Sequence, residues 1–297
     1  MSKPVVQERG VVTVRSVVIG LLLMPVVVYW LIEMEVVRYT HPTLVHPLSN
    51  VVFVLFWMVA LNRLVTAVRP ASRMLRSELL TVYLMLGVLS SLCTHDMLEI
   101  LVTLLAYPFR FATPENQWRE LIFPHLPDWL VVSDPAVAKG LYDGESSLFI
   151  KEHLLAWVGP YAWWTSFVFC LFFVLLCVNT FIRKQWIEHE RLSYPIIQLP
   201  LEMTRPGSGF FRNRIMWVGF GVAGVISVLN LLNSVYPEVP LVPVKRQNIQ
   251  AALGLTNIGG VTIAFYPFAI GISFLMPLEL LFSCWAFYWL YKFEIWM

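Results

Sequence analysis

Apolar residues run almost uninterrupted through six long stretches of the chain, roughly 11–32, 51–68, 79–107, 156–182, 215–235 and 261–291. Each holds at least about 18 residues, enough to cross a hydrocarbon core about 30 Å thick at about 1.5 Å per helical residue. The stretches lack the period-2 alternation of a barrel strand, and only a helix satisfies its own backbone groups in lipid without closing into a barrel. The pattern predicts an all-α integral membrane protein: one membrane domain, 1–297, with about six transmembrane helices. Two stretches are over-long. Span 3 would reach about 43 Å as one helix, so it must tilt, bend or project. The last span contains Pro267, Gly271 and Pro277. Proline lacks the backbone donor and clashes with the preceding turn, so this span is expected to be discontinuous around Gly271–Pro277.

Charge orients the spans. Lys3, Arg9, Arg15, Arg63, Arg69, Arg73, Arg76, Arg183, Lys184, Arg191, Arg205, Arg212, Arg214 and Lys292 fall on one set of alternating connections, 14 of the 21 basic residues. Arg38, Arg110, Arg119, Lys139, Lys151, Lys245 and Arg246 fall on the other, which makes 7. The positive-inside rule then places both termini in the cytoplasm, with 108–155 as a long outer loop and 183–214 as an inner loop. Arg15 and Arg63 sit near inner span ends, where long side chains snorkel. The outer loop mixes aromatic residues with Pro114, Pro124, Pro127 and Pro135, which predicts short amphipathic pieces forming an ordered cap or a lid. The inner loop holds the apolar run Leu192–Met203, too short to span and interrupted by Pro195 and Pro200. Such a run is expected to pack at the cytoplasmic face.

Composition agrees: 58% of residues are hydrophobic and 13% charged, and the net charge of +2 gives no reason to expect nucleic acid as a partner. The lipid bilayer is the expected surrounding, in the cytoplasmic (inner) membrane of a bacterium. Cys93, Cys170, Cys177 and Cys284 all lie in apolar spans without C-x-x-C spacing, as small packing residues do. Asn50 is placed to cap span 2, and Gly219 with Ala223 would allow a close helix approach in span 5.

Polar residues inside the spans carry the functional signal. Span 3 contains Cys93-Thr94-His95-Asp96-Met97-Leu98-Glu99. An ionised carboxylate at mid-membrane costs about 3 kcal/mol or more, so it faces the bundle interior or water. At about 100° per residue, Asp96 and Glu99 are about 60° apart and His95 about 40° beyond Glu99, so one face gathers Glu78, Thr81, His95, Asp96, Glu99 and Thr103. That face could relay protons or bind a coupling cation, bind a polar substrate group, or pair with Arg or His on a neighbouring helix. No fixed metal is expected, because neighbouring ligands on one helix do not complete a shell alone. Glu279 follows Pro277, near Ser273 and Ser283. Broken helices at depth build substrate sites, which makes Glu279, Ser273 and Pro277 candidates for binding; Glu279 as a helix cap is the structural alternative. Asn230 and Asn233 read as interhelical hydrogen-bonding residues.

No Walker A, H-E-x-x-H, G-x-S-x-G or kinase-type set occurs, nor a voltage-sensor repeat or selectivity filter, so no catalytic residue and no cofactor are expected. The run Glu190-Arg191-Leu192-Ser193-Tyr194-Pro195 with Gln198-Leu199-Pro200-Leu201-Glu202 resembles bacterial membrane proteins related to the oligopeptide transporter superfamily. So does Pro267–Glu279 with Phe282-Ser283-Cys284-Trp285-Ala286-Phe287-Tyr288. The glycine that follows the proline in the transporters proper is absent here, where Ile196 and Ile197 stand. The resemblance implies the N-terminal half of a longer transporter-like architecture, pairing with a second membrane half or with a copy of itself. The resulting expectation is proton- or cation-coupled secondary transport of a small polar solute, a peptide or metal chelate by analogy. Asp96 and Glu99 would take up the coupling ion, with His95 tuning them. A non-transporting scaffold subunit of an envelope complex is the alternative. A membrane transferase, the third reading, would have to work with His125, Asp128, Asp134 and His153 in the outer loop.

Overall fold

The computed structural model describes residues 11–40, 48–190, 194–252, 254 and 259–297, with the side chain of Asp96 excepted. Lys3, Arg9, Arg191 and residues 192–193 of the inner run lie outside the described residues. Helix α1 (Val14–Ile32) continues through a π-helical turn, Glu33–Val37. Then come α2 (Ser49–Val68), α3 (Arg76–Leu92), a second π-helical turn at His95–Glu99, and α4 (Ile100–Phe111). Two short helices, α5 (Trp118–Leu121) and α6 (Pro135–Asp143), precede α7 (Lys151–Lys184), which ends in a third π-helical turn, Gln185–His189. The remaining helices are α8 (Pro195–Thr204), α9 (Arg214–Val235), α10 (Pro267–Phe274) and α11 (Leu278–Trp296). Between α9 and α10, β1 (Gln247–Asn248) pairs antiparallel with β2 (Thr262–Ile263).

Among the described residues, five helical segments are long and apolar enough to cross a membrane: Val14–Val37, Ser49–Val68, Arg76–Phe111, Lys151–His189 and Arg214–Val235. They correspond to the first five apolar stretches. None of the apolar window of Lys151–His189 or of Arg214–Val235 is buried inside the protein, so these side chains point outward, as lipid-facing residues do. The 39 residues of Lys151–His189 would measure about 58 Å if fully helical, well beyond a hydrocarbon core. The sixth stretch is not one helix. Its start is extended, and residues 275–277 separate α10 from α11, with Pro277 immediately before α11. Gly271 lies inside α10, so the break is narrower than the run of prolines and glycine suggests.

The chain forms two compact units, Met1–Leu23 with Leu44–Gly87 and Ser193–Met297, and Met24–Thr43 with Val88–Leu192. In the first, Met85 lies over Gly20, where a Cβ would stand 2.7 Å from its sulfur, so any larger residue there would have to displace the flexible end of Met85. Arg15 does not merely snorkel. It donates through Nε to Glu78 Oε1 (3.1 Å), through Nη2 to Glu78 Oε2, and through Nη2 to the Arg73 carbonyl (2.9 Å). Asn62 donates to the Met74 carbonyl (3.0 Å) and accepts from its amide (2.8 Å), which closes the connection between α2 and α3. Helix α8 packs on α2, and Arg76 donates to the Leu201 carbonyl (3.2 Å). Pro195 opens this helix instead of breaking it, because a proline at the first helical position gives up an amide that would be unpaired anyway.

Three further expectations are corrected in this unit. Asn50 is not the cap of α2; Leu48, in a left-handed conformation, precedes the helix, and Asn50 is buried inside its first turn. Nothing lies within 4 Å of the Cβ position of Gly219, so α9 makes no close approach there among the described residues. Asn230 and Asn233 bridge no helices among the described residues. Asn230 pairs with both backbone groups of Val242 (3.0 and 2.8 Å), and Asn233 donates to the Val239 carbonyl (2.6 Å), so both tie the connection after α9 back onto its own helix.

The second unit holds a compact cluster in which Leu105, Ala106, Val132, Val137 and Ala138 are buried, with Phe109, Tyr142 and Trp157 against it. The outer-loop pieces are therefore ordered on α4 and α7. Asp134 caps α6 by accepting from the Ala136 amide (2.8 Å), Trp164 donates to the Leu130 carbonyl (3.0 Å), and Arg110 pairs with Asp143 (2.7 Å).

Candidate functional site

Span 3 is broken, and this is where the candidate site forms. The segment Arg76–Phe111 is interrupted near its middle: the Cys93 amide makes the last bond of α3, to Leu89 (2.9 Å), and Thr94 is extended (φ −83°, ψ 162°). A helical His95 amide would bond four residues back; here it donates instead to the carboxylate of Glu35 (2.8 Å). Glu35 lies in the π-helical turn that ends α1 and is fully buried. Its carboxylate thus stands at the N-terminus of the helical run that starts at His95, where the helix dipole favours negative charge. Both partners of this bond lie in π-helical turns, local distortions common at functional sites.

Glu99 is one turn further on. Both of its carboxyl oxygens are buried and have no hydrogen-bond partner among the described residues. Glu35, His95 and Cys93 all interact electrostatically with it. A buried carboxyl without donors is costly when ionised. No group of three or more His, Cys, Asp or Glu side chains among the described residues is arranged to hold a metal ion.

The single polar face expected for span 3 does not survive the break, because a constant 100° per residue no longer holds across Cys93–Thr94. Glu78 and Thr81 lie on α3, before it. Glu78 is committed to Arg15, to Thr13, whose hydroxyl donates at 2.6 Å, and to the Leu75 amide (2.7 Å). It is the structural ion pair among the alternatives. Thr103, on α4, turns its hydroxyl to the carbonyl of Ile100 (2.8 Å) and gives its own carbonyl to the Tyr142 phenol. His95 and Glu99 are brought together as expected; the side chain of Asp96 lies outside the description. Sequence reasoning missed Glu35 by ending span 1 at about residue 32. The signal was Val36-Val37 beyond Glu33 and Glu35, which continues the apolar stretch and lets the helix run on through Val37.

At the other break, Ser273 lies in the last turn of α10, Pro277 precedes α11, and Glu279 sits exposed in its first turn. Ser283 donates to the Glu279 carbonyl (2.8 Å). In the outer loop, Asp134 is the cap already described, and His153 Nδ1 lies 3.0 Å from the Ser147 carbonyl. His125 and Asp128 are exposed. Outside the spans, the Tyr142 phenol is held above the usual tyrosine range by burial and by neighbouring Tyr107.

Searches of curated proteins and of solved structures find no match to the chain. A family model matches residues 6–297, and on that match the chain belongs to the family of unknown function DUF6785.

Proposed function

We propose that this multi-pass membrane protein is a proton- or cation-coupled transporter of a small polar solute, with Glu35, His95 and Glu99 as its coupling site. The observation that carries the reading is the Glu99 carboxyl, buried without a donor beside Glu35 at a break in a spanning helix. Ionisable groups inside spans mark ion pathways, and discontinuous helices build the sites of secondary transporters. The break before α11 supplies a second element of that kind, with Glu279, Ser273 and Pro277 as the solute-binding candidates. If the resemblance read in the runs around Pro195 and Pro277 holds, the solute is a peptide or metal chelate. In this reading α10 and α11 together make the sixth crossing, both termini face the cytoplasm, and the bacterial inner membrane holds the protein.

The test is transport by the purified full chain in sealed vesicles carrying an internal pH dye. A panel of short peptides and metal chelates is added under an imposed proton or sodium gradient. Solute-dependent flux that disappears in Glu99→Gln supports the proposal, and Glu279→Gln asks whether the second break binds the solute. A scaffold subunit would move nothing. Flux that is unchanged in Glu99→Gln would remove the coupling site.

A further inference from the structure

The first unit carries a basic cleft on the side of the chain where the positive residues concentrate. Two adjoining cavities, about 300 and 420 Å³, share Arg63, Arg205 and Gly207 in their walls. Arg73 and Arg76 line the first and Arg212 lines the second. Five arginines therefore line the two cavities, and no acidic residue is among those lining them. Glu202 pairs with Arg205 (2.7 Å), which leaves a strong positive excess.

The positive-inside rule explains why arginines lie on this side of the chain, but not why they converge on a cavity or how they are held. Arg63 lies over the Phe211 ring, 4.3 Å from its centroid, which fixes the guanidinium plane. Arg76 is anchored by one bond to the Leu201 carbonyl, while its Nε is buried and has no acceptor among the described residues. A buried N–H without an acceptor is costly, and a bound anion would satisfy it. The cleft lies where α2 ends and α3 begins, at the depth of membrane headgroups if these helices span. Planar guanidinium groups match phosphate oxygens two at a time, and basic pockets at helix ends take phospholipid headgroups.

We propose that this cleft binds a phosphate-bearing anion. The inference is independent of the carboxyl site and of any transport activity. It is tested with the purified full chain in nanodiscs. One arm compares phosphatidylglycerol with phosphatidylcholine and reads lipid retained after detergent exchange by native mass spectrometry. The other keeps phosphatidylcholine alone and titrates inorganic phosphate and pyrophosphate against thermal stability. Retention of the anionic lipid, reduced about fivefold by each of Arg63→Gln and Arg73→Gln but not by Arg214→Gln outside the cleft, would identify a headgroup. Saturable stabilisation by phosphate or pyrophosphate with the same arginine dependence would identify a soluble anion. The wild-type comparison needs no variant to fold. No preference for the anionic lipid together with no response to phosphate would overturn the proposal, as would an equal effect of Arg214→Gln.

Discussion

Removing the Glu78 carboxylate should destabilise the fold far more than removing an exposed acid. Glu78 is 4% exposed and accepts from Thr13, from the Leu75 amide and twice from Arg15. The Leu75 contact is half of a capping box, since Glu78 is the third residue of α3 and reaches back to the residue before it. Breaking a fully buried ion pair costs about 3–5 kcal/mol. The Arg15 side chain is 42% exposed and also bonds the Ser72 and Arg73 carbonyls, so it would rehydrate in part. The expected cost of Glu78→Ala is therefore about 2–3 kcal/mol. Glu78→Gln should cost less, because one oxygen can still accept from Arg15 while its amide faces donors. The reference is Glu202→Ala, which breaks an exposed pair with Arg205 and should cost under about 1 kcal/mol. Unfolding free energies come from reversible titration with SDS in mixed micelles. If Glu78→Ala costs no more than Glu202→Ala, the clamp between α1 and α3 is not structural.

The sidedness of the C-terminus separates five crossings from six. Helix α11 has 19 residues, about 28 Å, so its length alone would allow a crossing, with Glu279 near one end and Lys292 and Glu294 near the other. Tags before Val14 and after Met297 should both be shielded from outside in intact cells, and exposure of the C-terminal tag alone would leave five crossings. Tyr142 predicts an alkaline limit. Its folded pKa is raised, so the folded state holds the proton longer than the unfolded chain; the stabilisation is complete below the ordinary tyrosine range near 10 and is lost as pH rises through the folded value. Thermal stability measured across that range should fall with pH, and Tyr142→Phe should flatten the fall while lowering stability by about 1 kcal/mol at neutral pH. An equally steep fall in the Phe variant would assign the alkaline limit elsewhere.

The spans were legible because twenty-residue apolar runs have few other uses, and the break before α11 because Pro277 cannot sit unchallenged in a helix interior. The break at Thr94 was not legible. Ser90-Ser91-Leu92-Cys93-Thr94 contains neither glycine nor proline, and what stabilises the break is Glu35, 60 residues away on another helix. The Arg15–Glu78 pair is hidden for the same reason, with 63 residues between its partners. Helical phase read from one end of span 3 consequently grouped Glu78 with Glu99, although the first holds helices together and only the second lacks a hydrogen-bond partner among the described residues. His95 and Glu99 were recognisable because charge inside a span is expensive wherever the helix turns.

The proposal that Glu99 takes up an exchangeable proton or cation in the coupling site is tested most directly by infrared difference spectroscopy of the chain in nanodiscs. Spectra are taken while pH, and then sodium concentration, is stepped. The account predicts a carboxyl band from a buried protonated acid that responds to one of these steps and is absent in Glu99→Gln. A Glu99→Gln spectrum identical to that of the unaltered chain at every step would contradict it.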